Sequence, residues 1–186
     1  GPYGSVTERA TQERVIQFAP VAFYDDFIGS DVVIPAAASP ESGCKWVKKI
    51  VGAGPPTLAG KGDELNGAIE CALTATSEKQ NAEAYLNDEL QLSVLQNLIF
   101  ECRIKASVLP TLVAEMVFGV ISAWADGLDT ATYSAFFTLD GSGEILAESD
   151  DNATDGSTTT GVTLTATDWV VLRIDCSDAA TAGIKF

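Results

Sequence analysis

The sequence predicts an all-β fold, an antiparallel β-sandwich preceded by an N-terminal arm, and three observations predict it. Leu98, Phe100, Cys102, Ile104, Ala106 and Val108 put an apolar side chain at every second position. Between them stand Ile99, Glu101, Arg103, Lys105 and Ser107, four of which carry a charge or a hydroxyl. Successive strand side chains point to opposite faces, so this stretch has one dry and one wet face, as in an antiparallel sheet packed on one side. Further short strand-like runs recur along the chain between turn residues, with few helical segments. The length of 186 residues, 46% of them hydrophobic, suits one well-buried core.

Taken in order, residues 1–20 form the arm and residues 21–186 the sandwich. The arm is polar and mixed in charge through Glu8, Arg9, Gln12, Glu13 and Arg14, and turns apolar at Val15, Ile16 and Phe18. It reads either as a short helix over residues 7–17 or as an extended segment, ordered only when docked on something. Gly1-Pro2 fits a protease-cleavage scar and fits a natural start equally. Residues 21–27 (Val-Ala-Phe-Tyr-Asp-Asp-Phe) predict an edge strand, and Pro35, Pro40 and Gly43 a loop. Strands are expected at residues 44–51, 68–74, 82–86, 90–94, 98–108, 115–122, 132–139, 144–148, 161–165 and 168–176. Turns are expected at Gly52–Pro56, Gly60–Gly62, Asn87-Asp88, Asp140-Gly141 and Asp155-Gly156. Residues 183–186 read as a strand that begins and stops without a turn, leaving an open edge of the kind proteins avoid. The sequence reading is therefore that the sandwich is truncated at its C-terminus.

Charge narrows the partners. The net charge is −15, and residues 1–61 are neutral, with six basic and six acidic residues. Residues 62–186 carry five basic against twenty acidic residues, and residues 106–172 contain ten acidic residues with no lysine or arginine. Such a surface repels phosphate backbones, so direct nucleic-acid binding is not expected. No apolar run approaches the ~20 residues of a membrane helix, and residues 1–18 lack the pattern of a secretory signal. No membrane association is expected.

Four cysteines invite a disulfide framework, but Cys71, Cys102 and Cys176 fall in phase with apolar neighbours two residues away. Spacings of 27, 31 and 74 residues match no zinc pattern. The expectation is reduced core thiols from a reducing cytoplasm, with a cross-sheet bond as the alternative.

Catalytic chemistry finds little to work with. Without histidine there is no Ser-His or Cys-His pair. A glycosidase needs two carboxylates flanking the scissile bond, on a strand at spacings of two or four. Asp88 with Leu90 and Glu101 with Arg103 give no such pair, and Glu70 faces Ala72 alone. Residues 149–156 resemble a calcium loop at Asp151, Asp155 and Gly156, but Ala153 and Val162 occupy the third and twelfth places. Two prolines remove the amide donors a phosphate loop at Gly52–Pro56 would need. Trp124, beside Asp126 and Asp129 in a loop, forms a candidate glycan-binding set. No catalytic residue, metal ligand or cofactor is expected.

Several segments in order resemble a known family. They are Tyr24-Asp-Asp-Phe27, Trp46, Asn66-Gly-Ala-Ile-Glu-Cys-Ala-Leu-Thr74, Glu78, Ala82-Glu-Ala-Tyr-Leu-Asn-Asp88, Phe100-Glu-Cys-Arg-Ile-Lys105, Val117-Phe-Gly119, Glu148-Ser-Asp-Asp151 and Trp169-Val-Val-Leu-Arg-Ile174. Their order and spacing resemble the concanavalin A-like jelly-roll proteins of tailed-bacteriophage heads, over residues 21–186. The resemblance rests on order rather than on any single motif. It implies a concanavalin A-like jelly roll that builds or decorates the capsid, and it supplies no catalytic residue.

The expected function is thus a non-enzymatic capsid decoration or cement protein on the virion exterior, assembled in the host cytoplasm. Its expected partners are the major capsid protein and neighbouring virion subunits, with homo-oligomers, such as a trimer, on the shell. Tyr3, Arg9, Arg14, Val15, Ile16 and Phe18 are the candidate anchoring residues of the arm. The alternative is a carbohydrate- or receptor-binding module on the virion.

Overall fold

A computed structural model of the chain describes residues 23–28, 34, 46–74, 79–86, 92–110, 114–123, 131–139, 141–180 and 183–186. These residues are all-β, with antiparallel pairing wherever the register is defined, an arrangement compatible with a β-sandwich. Contacts gather into two compact units, Gly1–Cys44 with Lys48–Ala84, and Lys45–Val47 with Tyr85–Phe186.

The described residues of the first unit form two strand pairs. Strand β1 (Val47–Val51) lies beside β4 (Asn81–Tyr85), and β2 (Thr57–Gly60) pairs antiparallel with β3 (Ile69–Ala72). The β2–β3 connection turns through left-handed residues Asp63, Asn66 and Gly67, and Lys61 bridges Glu70 across it at 2.7 Å. Strand β2 was not expected from sequence, because its four residues lie between two turn signals, too few to show a period. Gln80 ties the neighbouring loop together by donating to the Gly54 carbonyl (2.7 Å) and accepting from the Thr74 amide (2.9 Å).

Residues 23–28 are not the edge strand that the sequence suggests. Asp25 accepts from the Phe27 amide (2.9 Å) and Asp26 from the Ile28 amide (3.2 Å), and Phe27 takes a φ of 50°. Two successive Asx turns give the backbone a local alternative to pairing. Gly67 makes room for this bend, since a Cβ there would sit 2.2 Å from the Asp26 carbonyl oxygen.

Among the described residues the second unit holds six strands, β5 (Ile99–Ile104), β6 (Met116–Ile121), β7 (Ser134–Leu139), β8 (Glu144–Asp150), β9 (Asp155–Thr163) and β10 (Val170–Asp175). Strands β6, β7, β8 and β9 form an antiparallel meander in that order, while β5 pairs with β10. One apolar cluster joins the two sheets, drawing Ile104 from β5, Phe137 and Leu139 from β7, Ile145 from β8 and Leu172 and Ile174 from β10. Burying such side chains contributes about 1.5–3 kcal/mol each and fixes the register, because a one-residue slip would turn each to the other face.

The alternation that predicted the fold holds within β5, where Ile104 is buried and Glu101 and Arg103 are exposed. It ends sooner than expected, for Val108 is 74% exposed beyond the strand. Strand β7 departs differently. Residues 135–139 are buried without interruption, including Phe136 and Thr138. Across the ladder, Gly119 faces Phe136, and a Cβ on Gly119 would come within 2.5 Å of the Phe136 Cα.

Three further expectations are corrected. Residues 92–94 run into a single 3-10 turn, Val94–Gln96, whose Ser93 side chain accepts from the Leu95 amide. Asp155 and Gly156 lie inside β9, and the turn falls earlier, at residues 151–154. Cys71 is exposed rather than inward, whereas Cys102 is half-buried and Cys176 buried, all three as free thiols. Near the C-terminus, Lys185 forms an isolated bridge with Asp175, and the Phe186 ring meets Phe137 edge-on at 5.3 Å.

Candidate functional site

The candidate residues of the sequence reading lie outside the described residues. This holds for Tyr3, Arg9, Arg14, Val15, Ile16 and Phe18 of the arm, and for Trp124, Asp126 and Asp129. What the structure does place is a set of features on the second unit, where β9 is the edge of the four-stranded sheet.

Strand β9 is nine residues long and pairs only with β8 among the described residues. Residues 156–163 carry no charge, no proline and no lysine, so the usual devices that blunt an edge are missing from the side chains. Its far end is closed differently. The ladder is irregular between Glu144 and Leu146, Gly161 takes a φ of 70°, and Thr159 and Thr160 hydroxyls accept from the amides of Gly161 and Val162. The register is regular only over residues 155–159, which form the open edge. Beside it, a groove of about 410 Å3 is lined by Ala147, Ser149, Gly156, Thr158, Ile184 and Phe186, among others.

The hairpin turn explains why its oxygen-rich sequence resembled a metal loop. Asp150 Oδ1 accepts from the Asn152 amide (2.7 Å), and Asp151 Oδ1 from the amides of Ala153 (3.0 Å) and Thr154 (2.8 Å). These carboxylates cap a turn in which Asn152 is left-handed. Among the described residues, no three acidic or cysteine side chains converge closely enough to hold a metal ion.

Sequence reasoning passed over the acids of β8. Glu144, Glu148 and Asp150 follow one another at spacings of four and two, and so share one face of the strand. The pattern asked of a glycosidase strand is therefore present in β8, and its spacing could have been found. The structure commits both glutamates to hydroxyls, Glu148 accepting from the buried Thr138 and Glu144 from Thr159. Acting so, they satisfy threonines and hold the sheet.

The opposite layer carries the contrasting charge. On the outer face of β5 and β10, Arg103 lies over the Trp169 ring at 4.1 Å and Lys105 at 4.8 Å from its centroid. Arg173 pairs with Glu101 at 3.5 Å and Asp175 at 3.3 Å. The Cys102 thiol points the other way, and burial, with the Glu101 charge second, pushes it up to about 12. A thiol so raised is protonated near neutrality, the form that is a poor nucleophile.

Compared with known protein families, curated proteins and solved structures, the chain matches none. The functional reading therefore rests on these surfaces and on the residues themselves.

Proposed function

We propose that the chain is a non-enzymatic virion protein, a concanavalin A-like jelly roll that decorates or cements a tailed-phage capsid by binding the major capsid protein. The observation that carries this reading is the open edge of β9, uncharged from Gly156 onward, a ready template for an added strand from a neighbouring subunit. The order of segments that resembles phage head proteins supports it. In this reading the arm supplies a second anchor through Tyr3, Arg9, Arg14, Val15, Ile16 and Phe18. The acidic surface faces outward and keeps particles apart, and many copies on a symmetric shell add weak contacts together.

Cosedimentation with shells lacking this protein tests the reading. The intact chain pellets with shells, and Thr158→Lys, which puts a charge on the open edge, releases it. Removal of residues 1–20 weakens pelleting further. Absence of pelleting by the intact chain refutes the proposal, while pelleting unaffected by either change refutes both anchors.

A second reading, a carbohydrate- or receptor-binding module, is favoured by the groove beside β9, which is lined by threonines together with Phe186. Glycan-array binding that is lost in Phe186→Ala would support it over shell attachment.

A further inference from the structure

Residues 85–186 contain four basic residues, Arg103, Lys105, Arg173 and Lys185, against fifteen acidic ones. Three of these four stand on the β5–β10 layer. Cys102, Ile104, Leu172 and Ile174 point into the core, so Arg103, Val171 and Arg173 stand on the outer face by alternation. Val171, the direct cross-strand partner of Arg103, is 59% exposed. Tryptophan and arginine are the residues enriched at interface centres, and Val171 beside them adds exposed apolar area.

Arg103 is the telling residue. Its guanidinium covers Trp169, and among the described residues no carboxylate lies within ion-pair distance of it. Contact with a ring engages the face of the guanidinium and leaves the in-plane N–H donors at its edge free to grip a carboxylate bidentately. The ring also fixes the side chain beforehand, so less entropy is lost on binding.

The same unit offers the matching partner. At the β8–β9 hairpin, Asp150, Asp151 and Asp155 gather at one tip, and Asp150 stands directly opposite Asp155. The two layers pack through their inner faces, so the outer face of β5–β10 looks away from the sheet that carries this tip. One copy therefore cannot bring the two together, but two copies can.

We propose that the outer face of β5–β10, centred on Arg103, Trp169 and Val171, docks the acidic β8–β9 hairpin of a second copy of this chain. The contact joins two different surfaces, so it is head-to-tail and propagates into a ring or a chain. It stands independently of shell attachment.

Sedimentation velocity of the full chain at low salt and at about 1 M salt, where the Debye length falls to ~3 Å, tests it. Association at low salt that disappears at high salt is expected. Arg103→Glu and, separately, Lys105→Glu each weaken association by about tenfold or more, the scale of losing a desolvated charge pair. Asp150→Asn combined with Asp151→Asn does the same from the other side. Mixing Arg103→Glu with that double variant forms a heterodimer that grows no further, because each supplies only one intact surface. Thermal unfolding confirms that each variant is folded, and Lys105→Glu stands in should Arg103→Glu not fold. A wild-type chain that stays monomeric at low salt overturns the proposal, as does association unchanged by these substitutions. Arg103-dependent binding of polyglutamate or polygalacturonate by a monomeric chain also overturns it, by giving the face a different occupant.

Discussion

Asp150 and Asp155 stand directly opposite each other on the rung of the β8–β9 hairpin nearest its turn. Like charges in this position are destabilising, and cross-strand neighbours are ordinarily of opposite charge or neutral. Asp150 is held there by its turn, since its carboxylate caps Asn152. Asp155 makes no side-chain hydrogen bond among the described residues, so the repulsion has no local offset.

Replacing Asp155 should therefore stabilise the isolated protein. Asp155→Lys puts an opposite charge across from Asp150 and is expected to add about 0.5 kcal/mol, a rise in Tm of roughly 1–2 °C. Calorimetry at low salt measures it, and a fall in Tm would show that Asp155 has a stabilising partner.

Gly119 and Phe136 give a sharper packing test. A Cβ at Gly119 would fall 2.4 Å from the Ala135 carbonyl oxygen as well as against Phe136, both of them backbone-anchored. Gly119→Ala should cost about 1–3 kcal/mol, the range for overpacking a tight site. Gly62→Ala, where nothing lies within 4 Å, serves as the neutral comparison. Denaturant midpoints that coincide for the two variants would contradict this packing.

How much of this was legible beforehand depended on what each strand buries. Strands β5 and β10 place apolar residues on one face and charges on the other, and their alternation was visible in the letters. Strand β9 was half-missed because Gly-Ser-Thr-Thr-Thr offers no large apolar side chain, its strand being an edge with little to bury. The segment of residues 23–28 misled for the opposite reason, since its aromatic residues suggest a strand while Asp25 and Asp26 bend the backbone. Cys71 shared the phase of Ile69 and Leu73, yet all of that face except Ile69 is exposed. The basic face lay beyond sequence reading, because residues far apart in the chain meet only once β5 and β10 pair.

Acid should weaken the fold partly through Asp175. Hydrogen bonds from Ser177, side chain and then backbone, hold its carboxyl below the usual range, with Arg173 adding to the effect. A carboxyl depressed in the folded state contributes stability that is complete above the unfolded pKa, near 3.9, and is lost as pH falls through the folded value. Tm measured from pH 5 down to pH 2 should fall less steeply in Asp175→Asn than in the wild type. Parallel profiles would remove Asp175 from the account.

Thiol reactivity separates the three described cysteines. All three thiols are held above their ordinary range, Cys71 by partial desolvation and then by Glu83 and Glu70, so access sets the order at pH 8: the exposed Cys71 should label first, whereas Cys102 and the buried Cys176 should wait for denaturant. Mass mapping of labelled peptides decides it, and rapid native labelling of Cys176 would place it outside the core.

Density for an assembled particle bears most directly on the whole reading. The account predicts this β-rich body on the outer surface of the shell, with an added strand continuing the sheet past β9. A particle without it, or one in which the β9 edge faces solvent and the body touches no shell subunit, would contradict the account.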